Sequence, residues 1–72
     1  MTKFASDCAK FEKRYWQHMD NIDKLKTGNA GASLMSNADY WIEFNRKQAV
    51  KYGNRLYKLC DVYPDRFDEV QK

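Results

Sequence analysis

The chain has 72 residues, of which 43% are hydrophobic and 15% aromatic, and its net charge is +3. This composition excludes an intrinsically disordered segment and predicts one small domain, because the apolar content is high enough to fill a core. The mild basic balance permits an acidic partner but does not require one.

The first predicted helix covers residues 3–26. Its apolar residues recur at alternating spacings of four and three, which places them along one side of a helix. This first seam consists of Phe4, Cys8, Phe11, Tyr15, His18, Ile22 and Leu25, with Met19 alongside. Thr2 is the predicted N-cap, and Gly28 is expected to end the helix in the left-handed conformation.

A glycine-containing connector follows at residues 27–32. Glycine-rich turns can direct backbone N–H groups at an anion, so a phosphate-binding loop is one interpretation. The chain offers neither a following Lys-Ser/Thr pair nor a preceding strand, which such loops require. We therefore interpret the connector as a turn, which is short enough to make the two flanking helices antiparallel.

The second predicted helix covers residues 37–62 and also carries a seam. Ser36 is the expected N-cap in a capping box with Asp39, and Pro64 is expected to stop the helix. The second seam consists of Ala38, Ile42, Asn45, Ala49, Tyr52, Leu56, Leu59, Cys60 and Tyr63, with Trp41 at its margin. Gly53 lies inside the helix, where glycine costs about 1 kcal/mol relative to alanine. We expect it to make room for a ring from the first helix; the alternative is that it ends the helix early.

Pairing the two seams outward from the connector predicts which residues meet. The expected neighbours are Leu25 and Ala38, Ile22 and Ile42, His18 and Asn45, Tyr15 and Ala49, Phe11 and both Tyr52 and Gly53, and Cys8 and Leu56. His18 and Asn45 would form the polar layer of an otherwise apolar interface. We interpret this layer as a hydrogen bond that fixes the register, and the alternative is a pH-sensitive or ligand-binding pair.

A short third helix is predicted at residues 64–71. Phe67 and Val70 lie three positions apart and would point the same way. We expect both to dock in a shallow groove beside Ala9 and Tyr57. The predicted fold is therefore all-α, an antiparallel two-helix hairpin with a short C-terminal helix packed on one face. A homodimeric four-helix bundle, formed through the region of Trp16 and Val50, is a further expectation, because these helices leave apolar area exposed.

The two cysteines, Cys8 and Cys60, are far apart in the sequence and form no CxxC pair. With a single histidine and no clustered ligands, the sequence predicts neither a metal site nor a bound cofactor. The chain has no signal-like apolar run and no membrane-spanning stretch, so we expect a cytoplasmic protein with free thiols. A Cys8–Cys60 disulfide is the alternative, since the seam pairing places both residues near the same end of the hairpin.

The helical hairpin should present two different outer faces. One face is predicted to be basic and to carry aromatic rings, and it collects Lys3, Lys10, Arg14, Tyr40, Phe44, Lys47, Lys51, Arg55 and Lys58. The other face carries Trp16 and Tyr57 within an acidic rim. The third helix is too short to reach Trp16, which we expect to remain uncovered as an anchor for a partner. The alternative interpretation is that the lysines are simply solvated, that Tyr40 only staples the helix start, and that the third helix covers Trp16.

No catalytic constellation is present, because His18 is expected to lie in the seam, away from a nucleophile. We therefore predict a small non-enzymatic protein-binding regulator or inhibitor and, by analogy, an accessory protein of a phage or other mobile element. Its predicted partner-binding residues are Trp16, Tyr40, Phe44, Lys47, Lys51, Arg55, Lys10, Arg14 and Tyr57. An acidic surface on a nucleic-acid-handling complex is one expected partner. The alternative is a nucleic-acid-binding module whose basic face contacts the phosphate backbone.

Overall fold

The computed structural model of the chain describes the backbone of residues 3–71 and the side chains of residues 7–71. Within these residues the chain forms helices and connecting segments but no β-strand. The helices are α1 (Lys3–Thr27), α2 (Ala32–Met35), α3 (Ala38–Cys60) and α4 (Phe67–Val70). The prediction of an all-α fold with two long helices and a short C-terminal helix is confirmed. The N-cap predicted at Thr2 lies outside the described residues.

Helices α1 and α3 pack lengthwise against each other as an antiparallel hairpin. The Nδ1 atom of His18 lies 2.7 Å from the Oδ1 atom of Asn45. Farther from the connector, the rings of Phe11 and Tyr52 have centroids 6.3 Å apart. These two pairings confirm the predicted register. The buried core consists of Tyr15, Met19, Ile22, Ala49, Leu56, Phe67 and Val70.

The connector between the long helices contains two left-handed glycines and one short helix. Gly28 and Gly31 have φ values of 82° and 85°, which glycine adopts without steric cost. The N–H of Asn29 donates to the carbonyl of Lys24 at 2.8 Å, which closes the end of α1. The chain then forms α2, a single helical turn that the apolar pattern does not predict.

Helix α3 begins without the predicted capping box. Its first residue follows Asn37, which makes no side-chain hydrogen bond to the helix. The Ser36 hydroxyl donates instead to the carbonyl of Ser33 at 2.9 Å. The predicted cap formed by Ser36 and Asp39 is therefore wrong, because the preceding turn of α2 already engages the serine.

Helix α3 ends at Cys60, before the predicted end at residue 62 and well before Pro64. Asp61 adopts the left-handed conformation with a φ of 55°, and its N–H donates to the carbonyl of Leu56. The N–H of Val62 donates to the same carbonyl at 3.0 Å. A backbone cap at Asp61 therefore stops the helix, and the missing N–H of Pro64 is not the cause.

The C-terminal segment, residues 61–71, runs back along one face of the hairpin toward the connector. Tyr15 donates its hydroxyl hydrogen to the carbonyl of Asp65 at 2.7 Å. Nearer the connector, two nitrogen atoms of Arg66 donate to the two carboxylate oxygens of Asp23 at 2.9 and 2.8 Å. Polar contacts from two adjacent residues, Asp65 and Arg66, therefore hold the segment against α1.

Helix α4 is a single turn that buries its two apolar side chains in the α1–α3 core. It begins after Arg66, whose φ of 67° is left-handed, and therefore later than predicted. Phe67 and Val70 are both buried within the core. The prediction that they dock in a groove beside Ala9 and Tyr57 is wrong, because the segment turns inward nearer the connector.

Gly53 makes room for the ring of Phe67. The prediction that it accommodates Phe11 is wrong. A Cβ atom at position 53 would lie 2.2 Å from the Cε1 atom of Phe67. The Phe67 side chain is 1% exposed, and its ring packs edge-on against those of Tyr15 and Tyr63 at centroid distances of 6.1 and 5.3 Å. The expected close approach of a ring to α3 exists, but the ring belongs to the C-terminal segment.

A disulfide joins Cys8 of α1 to Cys60 at the end of α3, with the Cα atoms 6.0 Å apart. The prediction of free thiols is therefore wrong, and the alternative that follows from the seam pairing is correct. Cys60 lies one helical turn beyond Leu56, the predicted neighbour of Cys8. The bond closes the hairpin at the end opposite the connector.

We expect Gly53→Ala to destabilise the domain although alanine is the better helix former. The gain in helix propensity is about 1 kcal/mol, whereas an extra methyl group in a filled core costs about 1–3 kcal/mol. Because two other rings enclose Phe67, urea denaturation should show a net loss of about 1 kcal/mol. Asn54→Ala is the matched control on the same helix and should be neutral or slightly stabilising. A Gly53→Ala variant more stable than the parent would contradict this packing.

Replacing both Cys8 and Cys60 by alanine should lower the free energy of unfolding by about 3–4 kcal/mol. The bonded residues are 52 positions apart, so the disulfide restricts a long loop of the unfolded chain. Thermal unfolding followed by circular dichroism measures the loss. A reducing agent should destabilise the parent by a similar amount and leave the double variant unchanged. Equal stability of the parent with and without reductant would refute the stabilising role of the bond.

Candidate partner-binding surfaces

Helix α3 carries a stripe of basic and aromatic side chains. The residues of this basic–aromatic stripe are spaced three or four apart, so they follow one face of the helix. They are Tyr40, Phe44, Lys47, Lys51, Arg55 and Lys58, and all are exposed. Arg46 and Gly53, which contact the C-terminal segment, lie on the opposite side of α3. Tyr40 and Phe44 are 63% and 41% exposed, so both rings are available to a partner.

The stripe reaches α1 through cation–π contacts. The guanidinium carbon of Arg55 lies 5.4 Å from the ring centroid of Phe11 and 5.8 Å from that of Tyr52. The Nζ atom of Lys51 lies 5.7 Å from the Tyr52 centroid. Cations at these distances are attracted to the faces of aromatic rings. Two cations of the stripe are therefore oriented by the rings that line the groove between the long helices.

The basic residues predicted on the α1 side of this face are Lys3, Lys10 and Arg14. Lys10 and Arg14 are exposed, and they flank Phe11, the ring that Arg55 contacts. This geometry supports the predicted convergence of basic residues from both helices on one face. The side chain of Lys3 lies outside the described residues.

The cations of this face form no ion pair with any carboxylate whose side chain the structure describes. The described ion pairs are Lys24–Asp20 at 3.1 Å, Arg46–Glu43, Arg66–Asp23 at 2.8 Å and Arg66–Glu69 at 3.0 Å. None of these pairs includes Lys47, Lys51 or Arg55. The positive charge of the stripe is therefore not neutralised by the described part of the chain, and it is available to an acidic partner.

Carboxylates on the opposite face are compensated within the chain. The hydrogen bonds from Arg66 lower the pKa of Asp23 and also that of Glu69. A hydrogen bond from Arg46 lowers the pKa of Glu43 in the same way. The acidic rim predicted around this face is thus partly neutralised by two arginines, which leaves the basic face as the more strongly charged surface.

A pocket of about 460 Å³, here called the bend pocket, opens between the connector and the start of α3. Its apolar wall is formed by Leu25, Leu34, Trp41 and Phe44, and its polar floor by His18, Asn21 and Asn45. Lys24, Asn29 and Ala30 complete the lining. Phe44 belongs to both the wall and the stripe, so the pocket is continuous with the basic–aromatic face. Its volume lies in the lower part of the range for ligand sites, about 300–1,000 Å³.

The polar floor of the bend pocket is a hydrogen-bonded cluster centred on the buried side chain of Asn45. The Oδ1 atom of Asn45 accepts from Nδ1 of His18 at 2.7 Å and from Nδ2 of Asn21 at 3.2 Å. Its Nδ2 atom donates to the carbonyl of Trp41 at 2.8 Å. The His18 ring also stacks on Tyr52 with centroids 5.9 Å apart. The predicted contact between His18 and Asn45 is confirmed, and the same two residues face the pocket.

Trp16 lies beside the C-terminal segment and is partly covered, whereas the sequence predicts that it remains uncovered. Its ring packs edge-on against Tyr15 with centroids 5.1 Å apart, and it lines a shallow groove of about 230 Å³ with Tyr63 and Pro64. The prediction that the C-terminal element is too short to reach Trp16 is wrong. Residues 61–66 are not helical, and extended chain covers about 3.3 Å per residue against 1.5 Å in a helix. Trp16 remains 38% exposed.

Tyr57 is connected to the core through a row of aromatic rings. It is 52% exposed and packs edge-on against Tyr63, with centroids 5.7 Å apart, and Tyr63 in turn contacts Phe67. The row ends at Tyr15, where burial raises the pKa to about 12. The Tyr15 hydroxyl therefore stays protonated at neutral pH and keeps donating to the carbonyl of Asp65.

Of the residues that line the bend pocket, only Phe44 belongs to the predicted partner-binding residues; Asn21, Leu34 and Trp41 are among those that the prediction missed. Trp41 lies one helical turn before Asn45, and Asn21 lies one turn after His18, so helical spacing could have placed both beside the polar layer. Leu34 belongs to α2, which has no periodic pattern. No signal in the sequence places its side chain on the wall of the pocket.

We expect Asp23→Asn to lower the free energy of unfolding by up to about 1 kcal/mol at neutral pH, because it breaks the paired contact with Arg66. The pKa of Asp23 is lowered in the folded chain. Its contribution is therefore present at neutral pH and is lost as the pH falls below the ordinary aspartate value of about 3.9. The loss continues until the pH is below the lowered pKa of the folded chain, so chemical denaturation should show a smaller difference between parent and variant at pH 3 than at pH 7.

Asp20→Asn is the matched control for this variant. Asp20 forms an exposed pair with Lys24 on the same helix, and such pairs contribute only a few tenths of a kcal/mol. If both variants lose the same small amount, the contact between Arg66 and Asp23 does not help to hold the C-terminal segment.

Comparison of the chain with protein-family models, curated proteins and solved structures finds no match. No group of three His, Cys, Asp or Glu side chains in the described part of the chain is placed to hold a metal ion. None of the described helices is long and apolar enough to cross a membrane. The surfaces of the chain itself are therefore the basis for a functional proposal.

Proposed function

We propose that this chain is a small non-enzymatic protein-binding module, a regulator or inhibitor, that recognises an acidic surface of its partner. The observation that carries the proposal is the basic–aromatic stripe. Its cations form no ion pair with any described carboxylate, and exposed rings lie among them. Acidic side chains of a partner would supply the counter-charges, which favours rapid and specific association.

Tyr40 and Phe44 suit the role of aromatic anchors. Tyr40 packs edge-on against Trp41 with centroids 5.0 Å apart, and Trp41 packs edge-on against Phe44 at 5.7 Å. The three rings restrict one another, so little side-chain freedom remains to be lost when a partner binds. Exposed aromatic residues of this kind commonly dominate the energy of protein interfaces.

The cations of the stripe are also oriented in advance. Arg55 and Lys51 lie over the rings of Phe11 and Tyr52, so their charged groups do not sample all of the surrounding solvent. Trp16 and Tyr57 lie on the face that the C-terminal segment contacts. We therefore assign the primary contact to the stripe and only a secondary one to these two rings.

A nucleic-acid-binding module is the second candidate, because the exposed ring of Tyr40 lies on the same helix face as Lys47. Single-stranded nucleic acids bind where rings stack on bases and cations hold phosphates. The rings of the stripe favour a protein, since Tyr40, Trp41 and Phe44 pack edge to face and offer no parallel platforms for successive bases. A net charge of +3 is also modest for a domain that binds a phosphate backbone.

A non-enzymatic role is supported by the state of the nucleophilic and basic groups. Cys8 and Cys60 are joined in the disulfide, so neither presents the thiolate that nucleophilic catalysis needs. The Nδ1 atom of His18 is hydrogen-bonded to the amide of Asn45, whereas catalytic histidines are typically oriented by a carboxylate.

A cytoplasmic location, a homodimer and an origin in a phage or other mobile element stay predictions. Disulfides form and persist in oxidising compartments, so the Cys8–Cys60 bond is evidence against a location in a reducing cytoplasm. The C-terminal segment occupies part of the Trp16 face through which we expect a homodimer, so that face has less apolar area to offer a second copy.

Affinity capture from a lysate of the native host, with nuclease treatment, tests the protein partner. Lys51→Glu should reduce the captured protein by about tenfold, because it places a like charge against an acidic surface. Lys13→Glu changes the net charge by the same amount at an exposed position of α1 outside the stripe, and it should leave capture unchanged. Equal losses in both variants would show that capture depends on overall charge and not on the stripe.

The nucleic-acid alternative is tested by fluorescence anisotropy with labelled single- and double-stranded oligonucleotides at low salt. The parent should show no binding. An affinity whose logarithm falls linearly with the logarithm of the salt concentration would contradict the proposal and favour backbone binding. Capture that nuclease treatment abolishes would lead to the same conclusion.

A further inference from the structure

The geometry of the bend pocket points to one specific occupant: a tyrosine or tryptophan side chain of the acidic partner, with its polar edge toward the pocket floor. This inference rests on the proposed function, because it places the occupant on a partner that binds the basic–aromatic stripe. It adds the chemistry of the anchor residue and the place where that residue inserts.

The position of the bend pocket links it to the stripe. Phe44 forms part of the pocket wall and is also a member of the stripe, one helical turn before Lys47. A partner segment that pairs its carboxylates with Lys47 and Lys51 therefore passes the mouth of the pocket. A side chain at the end of that segment has the shortest path into it.

The wall of the pocket fits a flat apolar body. Trp41 and Phe44 meet edge to face at 5.7 Å and 81°, which leaves a corner between two aromatic surfaces. Leu34, which is 38% exposed, closes the corner from the connector side. An aromatic ring in this corner would bury its faces against all three side chains, and aromatic pairs add to the gain from burial alone.

The floor of the pocket presents hydrogen-bond acceptors, which a donor group of the occupant would satisfy. Asn45 uses Nδ2 to donate to the carbonyl of Trp41, so its Oδ1 atom is the acceptor and His18 donates through Nδ1. A neutral histidine that donates through Nδ1 leaves Nε2 as an acceptor. Asn21 donates through Nδ2, which leaves its Oδ1 atom as a second acceptor without a described donor. An incoming O–H or N–H would therefore satisfy one of these two acceptors, whereas the ammonium group of Lys24, which also lines the pocket, is engaged with Asp20.

These two requirements together select the aromatic side chains that carry a donor. Phenylalanine has the flat aromatic ring but no hydrogen-bond donor, and serine has a donor but no ring. Tyrosine and tryptophan have both, and they are enriched among the residues that dominate protein interfaces. The pocket volume of about 460 Å³ holds one such side chain with its flanking backbone and not an extended stretch of peptide.

The inference is tested by titrating the isotope-labelled full chain with N-acetyl-tyrosine amide and, in parallel, with N-acetyl-phenylalanine amide. Chemical-shift changes should centre on the Trp41 indole and on the side-chain amides of Asn21 and Asn45. The tyrosine amide should bind about threefold to tenfold more tightly, which is the range expected for one hydrogen bond. Equal affinity of the two amides, or no shift at these three residues, would overturn the inference.

Three variants test which side chains form the pocket. Phe44→Ala removes part of the pocket wall and should weaken binding of the tyrosine amide at least about fivefold, because a ring contact is lost. Leu59→Ala removes an exposed apolar side chain of the same helix that does not line the pocket, and it should leave the affinity unchanged. Asn21→Ala removes one of the two acceptors of the floor and should reduce the preference for tyrosine over phenylalanine. A loss in Leu59→Ala as large as that in Phe44→Ala, or an undiminished preference in Asn21→Ala, would overturn the inference.

A capped acidic peptide with a central tyrosine distinguishes this inference from the proposed function. Tighter binding than its alanine counterpart, with shifts at Trp41 and a loss in Lys51→Glu, supports both. Equal binding of the two peptides with no shift at Trp41 overturns the anchor and leaves the acidic partner intact. Tyrosine amide binding without any gain from the acidic flanks supports the pocket chemistry and overturns the acidic partner. Shifts at Trp41 with uridine monophosphate and none with tyrosine amide overturn both in favour of nucleic acid.

Discussion

The contact between the Phe67 ring and the α3 backbone at Gly53 is the constraint on which this domain depends. Two helices side by side share only a narrow line of contact, and a chain of this size buries little more than about 60% of its unfolded surface. The molecule measures 43 × 24 × 15 Å, so its thinnest dimension is little more than one helix diameter. Phe67 and Val70 enter the gap between α1 and α3 and turn a two-sided interface into a three-sided core.

The same contact divides the surface of the hairpin into two faces of different character. The C-terminal segment occupies one face, where Arg66 and Arg46 engage the carboxylates of Asp23 and Glu43. On the other face, the cations form no ion pair with a described carboxylate, and the rings of Tyr40 and Phe44 are exposed to solvent. Charge separation across so thin a body would orient the proposed acidic partner before contact. In the proposed function, the face that binds the partner is therefore the one that the chain's own C-terminal segment leaves open.

Features that depend on helical spacing alone are predictable from the sequence. The seam residues from Phe11 to Leu25 and from Ile42 to Leu56 belong to this group, because the side of a helix on which a residue lies is set locally. The contact between His18 and Asn45 and the basic–aromatic stripe belong to it too. Leu59 is also predicted in the seam but is 52% exposed, near the end of α3. Phe67 differs, since a helix of one turn has no periodicity and its docking place depends on a distant glycine. The bend pocket needs Leu34 from a connector without a pattern. The disulfide depends on the last turn of α3, which a left-handed Asp61 ends.

The bond between Cys8 and Cys60 makes the chain between them a covalent ring that contains most of α1, the connector and all of α3. Such a covalent ring prevents either long helix from sliding along the other by a turn, because the connector joins the helices at one end of the hairpin and the disulfide joins them at the other. The C-terminal segment lies outside the ring and is joined covalently to it only at Cys60. Its non-covalent contacts with Tyr15, Asp23 and Gly53 can therefore break while the disulfide still holds α1 and α3 together at that end. The basic–aromatic stripe lies within the covalent ring, whereas the segment that fills the core from the opposite face does not.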